Sequence, residues 1–273
     1  MFAQLGTPAA LIALLLVGSF SMARNPEGDK RDEAAKQCLK QVKEELSKLK
    51  GEQAKVEVVE KAPLEQVFEN TFFYFVFFRR YPVAIAPPKS LAASSLYAVQ
   101  HTAGSKPQPL TNIEQLEEFF KKNSRPVRNA DDAKHVLSAW LELAQFFEQD
   151  GFYKFEVLDD SLKVATEDGG QKASGRVIVT GGGNGDIGAA LTFDADGKLT
   201  KIVHTAKLKP GPRPRCQATK LLDPDMIVRG MAEDELLYMG SAAKDYLDEQ
   251  RAKATPDLQA AIDRIWRRIC EQK

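Results

Sequence analysis

The sequence predicts an α+β protein, an antiparallel sheet with packed helices followed by a small all-α segment. Apolar residues recur at helical spacing from Ala133 to Phe147, the period falls to two from Phe152 to Lys209, and helical spacing returns after Leu221. The connections between the period-two runs are too short for crossovers, so those strands pair antiparallel with their neighbours.

Composition sets the bounds. The chain has 273 residues, 43% hydrophobic and 28% charged, with 14 prolines. That is ordinary globular material, enough for one large or two small domains. Lys plus Arg and Asp plus Glu are 38 each, so no net field draws a nucleic acid or an anionic membrane, and a nucleic-acid partner is disfavoured.

Residues 1–23 contain no Asp, Glu, Lys or Arg, and the apolar run from Ala9 to Val17 leads to Ser21-Met22-Ala23 before Arg24. That pattern predicts a signal peptide cleaved after Ala23 and an exported, periplasmic or extracellular protein. Because no Lys or Arg precedes the run, an uncleaved N-terminal anchor is the alternative, and a membrane is a partner only in that case.

Residues 24–209 form the predicted α+β domain. A charged helix from Asp29 to Lys50 carries Cys38, Leu39, Val42, Leu46 and Leu49 on one side and should dock on the body of the protein. Lys55 to Lys61 suits a strand. The run Thr71-Phe72-Phe73-Tyr74-Phe75-Val76-Phe77-Phe78 is aromatic on both faces, so as a strand it must be covered on both. Ser94 to Val99 suits another. Gly104 to Pro109 reads as a loop, Thr111 and Glu114 as the capping box of a short helix, and Asn129 as the cap of a longer one bearing Val136, Leu137, Trp140 and Leu141. Further strands follow to Leu208, with Asp194-Ala195-Asp196-Gly197 as a tight turn.

Residues 210–220 are a Pro-rich link, and three helices are predicted in residues 221–273. Asp223 with Pro224 caps the first, Gly240 ends it, Ser241 caps the second, and Thr255 with Pro256 opens the third. Asp223-Pro224-Asp225 with Val228-Arg229, Leu236-Leu237 with Gly240, and Ala242-Ala243 resemble a HEAT-type repeat and half of the next. With the export signal, the runs Cys216 to Asp225 and Ala260 to Trp266 resemble exported bacterial proteins that end in HEAT-like helices. The resemblance implies a helical packing unit and no activity.

Few residues suggest chemistry. Val177 to Gly188 satisfies GxGxxG through Gly183, Gly185 and Gly188, yet a phosphate-cradling turn must open a helix, and Ala189 to Phe193 alternates as a strand. The run is therefore expected to be a mobile hairpin loop, and no cofactor is expected. No Cys or His sits at metal-ligand spacing, and the Asp194-Asp196 turn lacks the closing Glu of a calcium loop. His101, His135 and His204 fall in a loop, a helix and a strand, and no catalytic residue is assigned. Of three cysteines, Cys216 and Cys270 flank the helical segment, so a bridge between them would close it; three separate buried thiols are the alternative.

These readings point to a non-enzymatic binding or structural protein of the cell envelope, acting through contacts with an unknown protein partner. The alternatives are a small apolar ligand protein with a cavity walled by Phe73, Phe75, Phe77 and Trp140, and a hydrolase whose site is assembled from His101 or His204 and nearby acids.

Overall fold

The computed structural model describes residues 26–81, 83–102, 104–167, 169–213 and 217–272. The fold is α+β, with two antiparallel sheets, helices between and outside them, and a helical unit at the C-terminus. The expected export signal lies outside the described residues.

The first sheet holds β1 (Lys55–Val59), β2 (Thr71–Phe77), β3 (Ser94–Gln100) and β4 (Gln108–Leu110) in chain order. Strand β2 is central, with Val58, Tyr74 and Tyr97 in one register row. Its aromatic run is covered on both faces, as its composition requires. Phe72, Tyr74 and Val76 face α1 (Pro26–Lys48), meeting Cys38, Val42 and Leu46, and Tyr74 Oη donates to the Ala35 carbonyl at 2.7 Å. Phe73 and Phe75 face the main core. Each fully buried ring contributes about 1.5–3 kcal/mol of transfer free energy.

The second sheet holds β5 (Lys154–Val157), β6 (Lys163–Glu167), β7 (Gly170–Gly181), β8 (Gly183–Phe193) and β9 (Leu199–Pro210). Its order is β5-β7-β8-β9, with β6 pairing the other half of β7. One core joins the inner faces of both sheets through α2 (Ala62–Val67), α3 (Ile113–Asn123) and α4 (Ala130–Ala144). Helix α4 is buried along most of its length, including Leu137, Trp140, Leu141 and Leu143, because its apolar residues run well round the helix.

The C-terminal unit has its own core. A 3-10 turn (Ala218–Leu222), α5 (Met226–Met239), a second 3-10 turn (Gly240–Ala243), α6 (Lys244–Ala252) and α7 (Pro256–Glu271) enclose Leu221, Leu236, Tyr246, Leu247, Ile262 and Ile265.

Local details shift the expected boundaries. The capping box of α3 is formed by Asn112, which accepts from Gln115 N at 2.9 Å, and by Gln115, which accepts from Thr111 N at 2.8 Å. It lies one residue later than Thr111 and Glu114, since an amide closes the box as well as a carboxylate. Asp225, not Asp223, caps α5 by accepting from Ile227 N at 2.8 Å; Asp223 accepts from Asp225 N instead. No side chain caps α6, because the turn holding Ser241 runs straight into it. Within the span expected to be loop, Gln108–Leu110 pairs with β3 as an edge strand, where a proline is tolerated.

Candidate functional site

The first candidate surface is built by α5. At 100° per residue, Ala232, Leu236 and Met239 fall within about 60° of each other and are buried, while Ile227, Met231 and Tyr238 fall within about 40° of each other on a second side about 130° away. That second side faces solvent: Ile227 is 70% exposed, Met231 60%, Tyr238 53%, and Met226 beside them 74%. Ile227 and Met231 recur at helical spacing with Ala232, Leu236 and Met239, but they do not join them in the core. The core needs only a narrow stripe, because α5 packs chiefly on the Ala218–Leu222 turn and on α7. Asp234 and Glu235 flank the exposed stripe at the same spacing, whereas Arg229 turns away to donate to the Asp223 and Pro224 carbonyls at 2.6 and 3.0 Å.

The stripe runs into the junction between the helical unit and the sheets. There Tyr238 stacks on Phe152 at 6.3 Å between ring centroids, and Tyr81 meets the edge of Phe152 at 4.9 Å. Arg213 is the hub. Its guanidinium donates through Nε to Asp150 Oδ2 at 2.6 Å and through Nη1 to the Gly182 carbonyl at 2.6 Å, and it lies 5.1 Å from the ring centres of both Phe152 and Tyr153. Two more pairs cross the junction. Arg79 binds Glu249 at 2.8 Å, which holds the Glu249 carboxyl below its usual range, and Lys55 binds Asp245. A cleft of about 460 Å³ opens between these groups, lined by Phe75, Phe77, Tyr81, Phe152, Arg80 and Asp150 among others.

The expected cavity residues separate. Phe75 and Phe77 line the cleft, whereas Phe73 and Trp140 pack with Phe68, Phe119 and Phe120 in a filled core. The space beneath the aromatic strand is occupied by rings, because Phe68 just after α2, Phe119 and Phe120 on α3 and Trp140 on α4 all enter it. Sequence reasoning missed Arg213; an arginine set between Pro212 and Pro214 was the available signal for a fixed strap.

The glycine run is also placed. It forms the β7–β8 hairpin, as its strand pattern requires, but the turn is tied: Gly182 has φ +73°, its carbonyl accepts from Gly211 N and Arg213 Nη1, and a Cβ at Gly182 would stand 2.1 Å from the Phe152 carbonyl oxygen. The glycines permit close backbone packing, so the expected loose loop is a packed corner.

The histidines stand apart. His101 Nε2 pairs with Gln37 Oε1 at 3.2 Å. The His204 ring lies 6.0 Å from Trp140, and burial pushes its pKa down against a weaker upward pull from Glu114. Among the described residues no group of His, Cys, Asp and Glu is placed to hold a metal. Cys38, on α1, is buried against the first sheet and Cys270 is an exposed free thiol; Cys216, the other half of the expected bridge, lies outside the described residues.

No family model matches the chain, and no curated protein or solved structure matches it. The functional reading therefore rests on these surfaces alone.

Proposed function

We propose that the protein is a non-enzymatic binding protein of the cell envelope that holds a protein partner on the exposed face of α5. The observation that carries this reading is a helix apolar on two sides with only one side buried. Apolar side chains as large as Ile227, Met231 and Tyr238 exposed along one side of a helix mark an interaction site. The flanking Asp234 and Glu235 select a partner with an apolar centre and a basic rim. The likeness to a HEAT-type pair belongs to the same reading, since such pairs present helix faces to partners.

The test is capture of the partner with the full chain and with Ile227→Asp/Met231→Asp. The double variant is expected to release the partner while its melting temperature stays within a degree or two, because neither side chain contributes to the core. A partner retained by the variant, or none captured by the unaltered protein, counts against the proposal.

The junction cleft favours a second reading, a small-ligand site with aromatic walls, as its volume lies within the range of such sites. Native mass spectrometry of purified protein separates the two, since a bound small molecule adds a discrete mass that Phe77→Ala should abolish.

A further inference from the structure

A second surface of different chemistry lies on the second sheet. Its inner face packs on α4, so side chains alternate between core and solvent along each strand. The outward positions place Lys154 on β5, Lys163 on β6, Arg176 on β7, and Lys201, Lys207 and Lys209 on β9 on one face. All are exposed, and none forms an ion pair with a described residue. Acids on the same face include Glu156 and Asp186 at outward positions and Asp160 beside Lys163 and Arg176, fewer than the cations. The middle of the face is floored by Ser174, Gly188, Ala190 and Thr205, with Val203 47% exposed. Lys201 and Lys207 stand about 20 Å apart along β9 at the rise of an antiparallel strand.

We propose that this face adsorbs to an anionic lipid surface. Three features select that occupant. All but one of the cations are lysines, point charges on flexible stems that suit diffuse negative charge better than bidentate recognition of one group. No aromatic ring stands at these outward positions to stack a base, as a single-stranded nucleic acid needs. The small residues at the centre let the stems extend to a common plane instead of closing round a ligand. A net charge of zero does not oppose this, because screening confines the field of each face to about 10 Å at ordinary salt.

The experiment is co-sedimentation of the full chain with vesicles of phosphatidylcholine alone or doped with phosphatidylglycerol, at low and physiological salt. Binding is expected on the doped vesicles only, falling as salt rises. Each exposed cation near such a surface contributes about fivefold in affinity, so Arg176→Gln/Lys201→Gln/Lys207→Gln should bind about a hundredfold more weakly. Ile227→Asp/Met231→Asp should bind vesicles as the unaltered chain does, which keeps this proposal separate from the α5 reading. Circular dichroism establishes that the glutamine variant is folded. Binding carried by the apolar N-terminal residues would persist in that variant, and that outcome overturns the proposal. So does equal binding to neutral vesicles, no binding to either, or binding of heparin without binding of doped vesicles.

Discussion

His204 illustrates how a single residue ties fold to condition. It sits on β9 against Trp140, and burial holds its pKa below the ordinary value near 6.5. A histidine with a depressed folded pKa is neutral in the fold while the unfolded chain still takes up a proton. Its contribution is therefore fully present above about pH 6.5 and is lost as pH falls from there toward the folded pKa. Urea midpoints measured at pH 7.5 and pH 5.5, conditions chosen about one unit to either side of that value, should differ less in His204→Gln than in the unaltered protein. Equal differences in the two proteins would show that His204 plays no part. Gly197 makes a sharper case. Its φ is +75°, and a Cβ there would stand 1.9 Å from the Val127 carbonyl oxygen, while Val127 N donates to the Gly197 carbonyl at 2.8 Å. Gly197→Ala must distort both the turn and that hydrogen bond, at a cost of about 1–3 kcal/mol by chemical denaturation.

At the level of elements, what the sequence disclosed depended on whether local pattern and tertiary need agreed. The aromatic strand was legible because eight successive residues from Thr71 to Phe78 contain no partition into wet and dry sides, so covering layers on both faces were implied before any were seen. Helix α1 was legible for the opposite reason, as its charged and apolar residues divide cleanly and its apolar side had to find a partner. That partner is the outer face of the first sheet, through Cys38, Val42 and Leu46. Leu46→Ala should cost about 2–5 kcal/mol, and Tyr74→Phe, which removes the hydrogen bond to Ala35, about 0.5–1.5 kcal/mol; thermal melts of the two variants rank them. By contrast, α5 misled because its apolar residues occupy two sides, and periodicity alone does not say which side the core takes. The short α2 and β4 escaped notice because each is only a few residues long and is formed by its neighbours more than by its own propensity. The candidate site was legible only as a location, the C-terminal helices; the junction beside it depends on contacts between residues far apart in the chain.

Across the whole molecule, the main core and the C-terminal core meet at a junction of ion pairs and aromatic rings, and the strength of the join rests unequally on its parts. Lys55–Asp245 has side chains 40% and 42% exposed, and pairs of that kind contribute about 0–1 kcal/mol, while in Arg79–Glu249 the arginine is 12% exposed but its carboxylate partner stands 42% exposed. Arg213 differs. Its side chain is 10% exposed and Asp150 19%, and the same guanidinium satisfies the Gly182 carbonyl and stacks against Phe152 and Tyr153. Removing it leaves Asp150, largely shielded from water, with only the Phe152 and Tyr153 amides as partners, a change worth up to about 3–5 kcal/mol. The proline-rich segment is thus the strap that holds the two cores together. The tryptophans offer a direct test, since Trp140 lies in the main core and Trp266 packs against the C-terminal one. In proteins retaining either tryptophan, with phenylalanine at the other position, urea unfolding followed by fluorescence should give one midpoint while Arg213 is present. In the Arg213→Met background the Trp266 signal should move to lower urea than the Trp140 signal, because the smaller core loses its attachment before the larger one fails. Coincident midpoints in that background would mean that the apolar contacts of Tyr81, Phe152 and Tyr238 suffice to couple the cores.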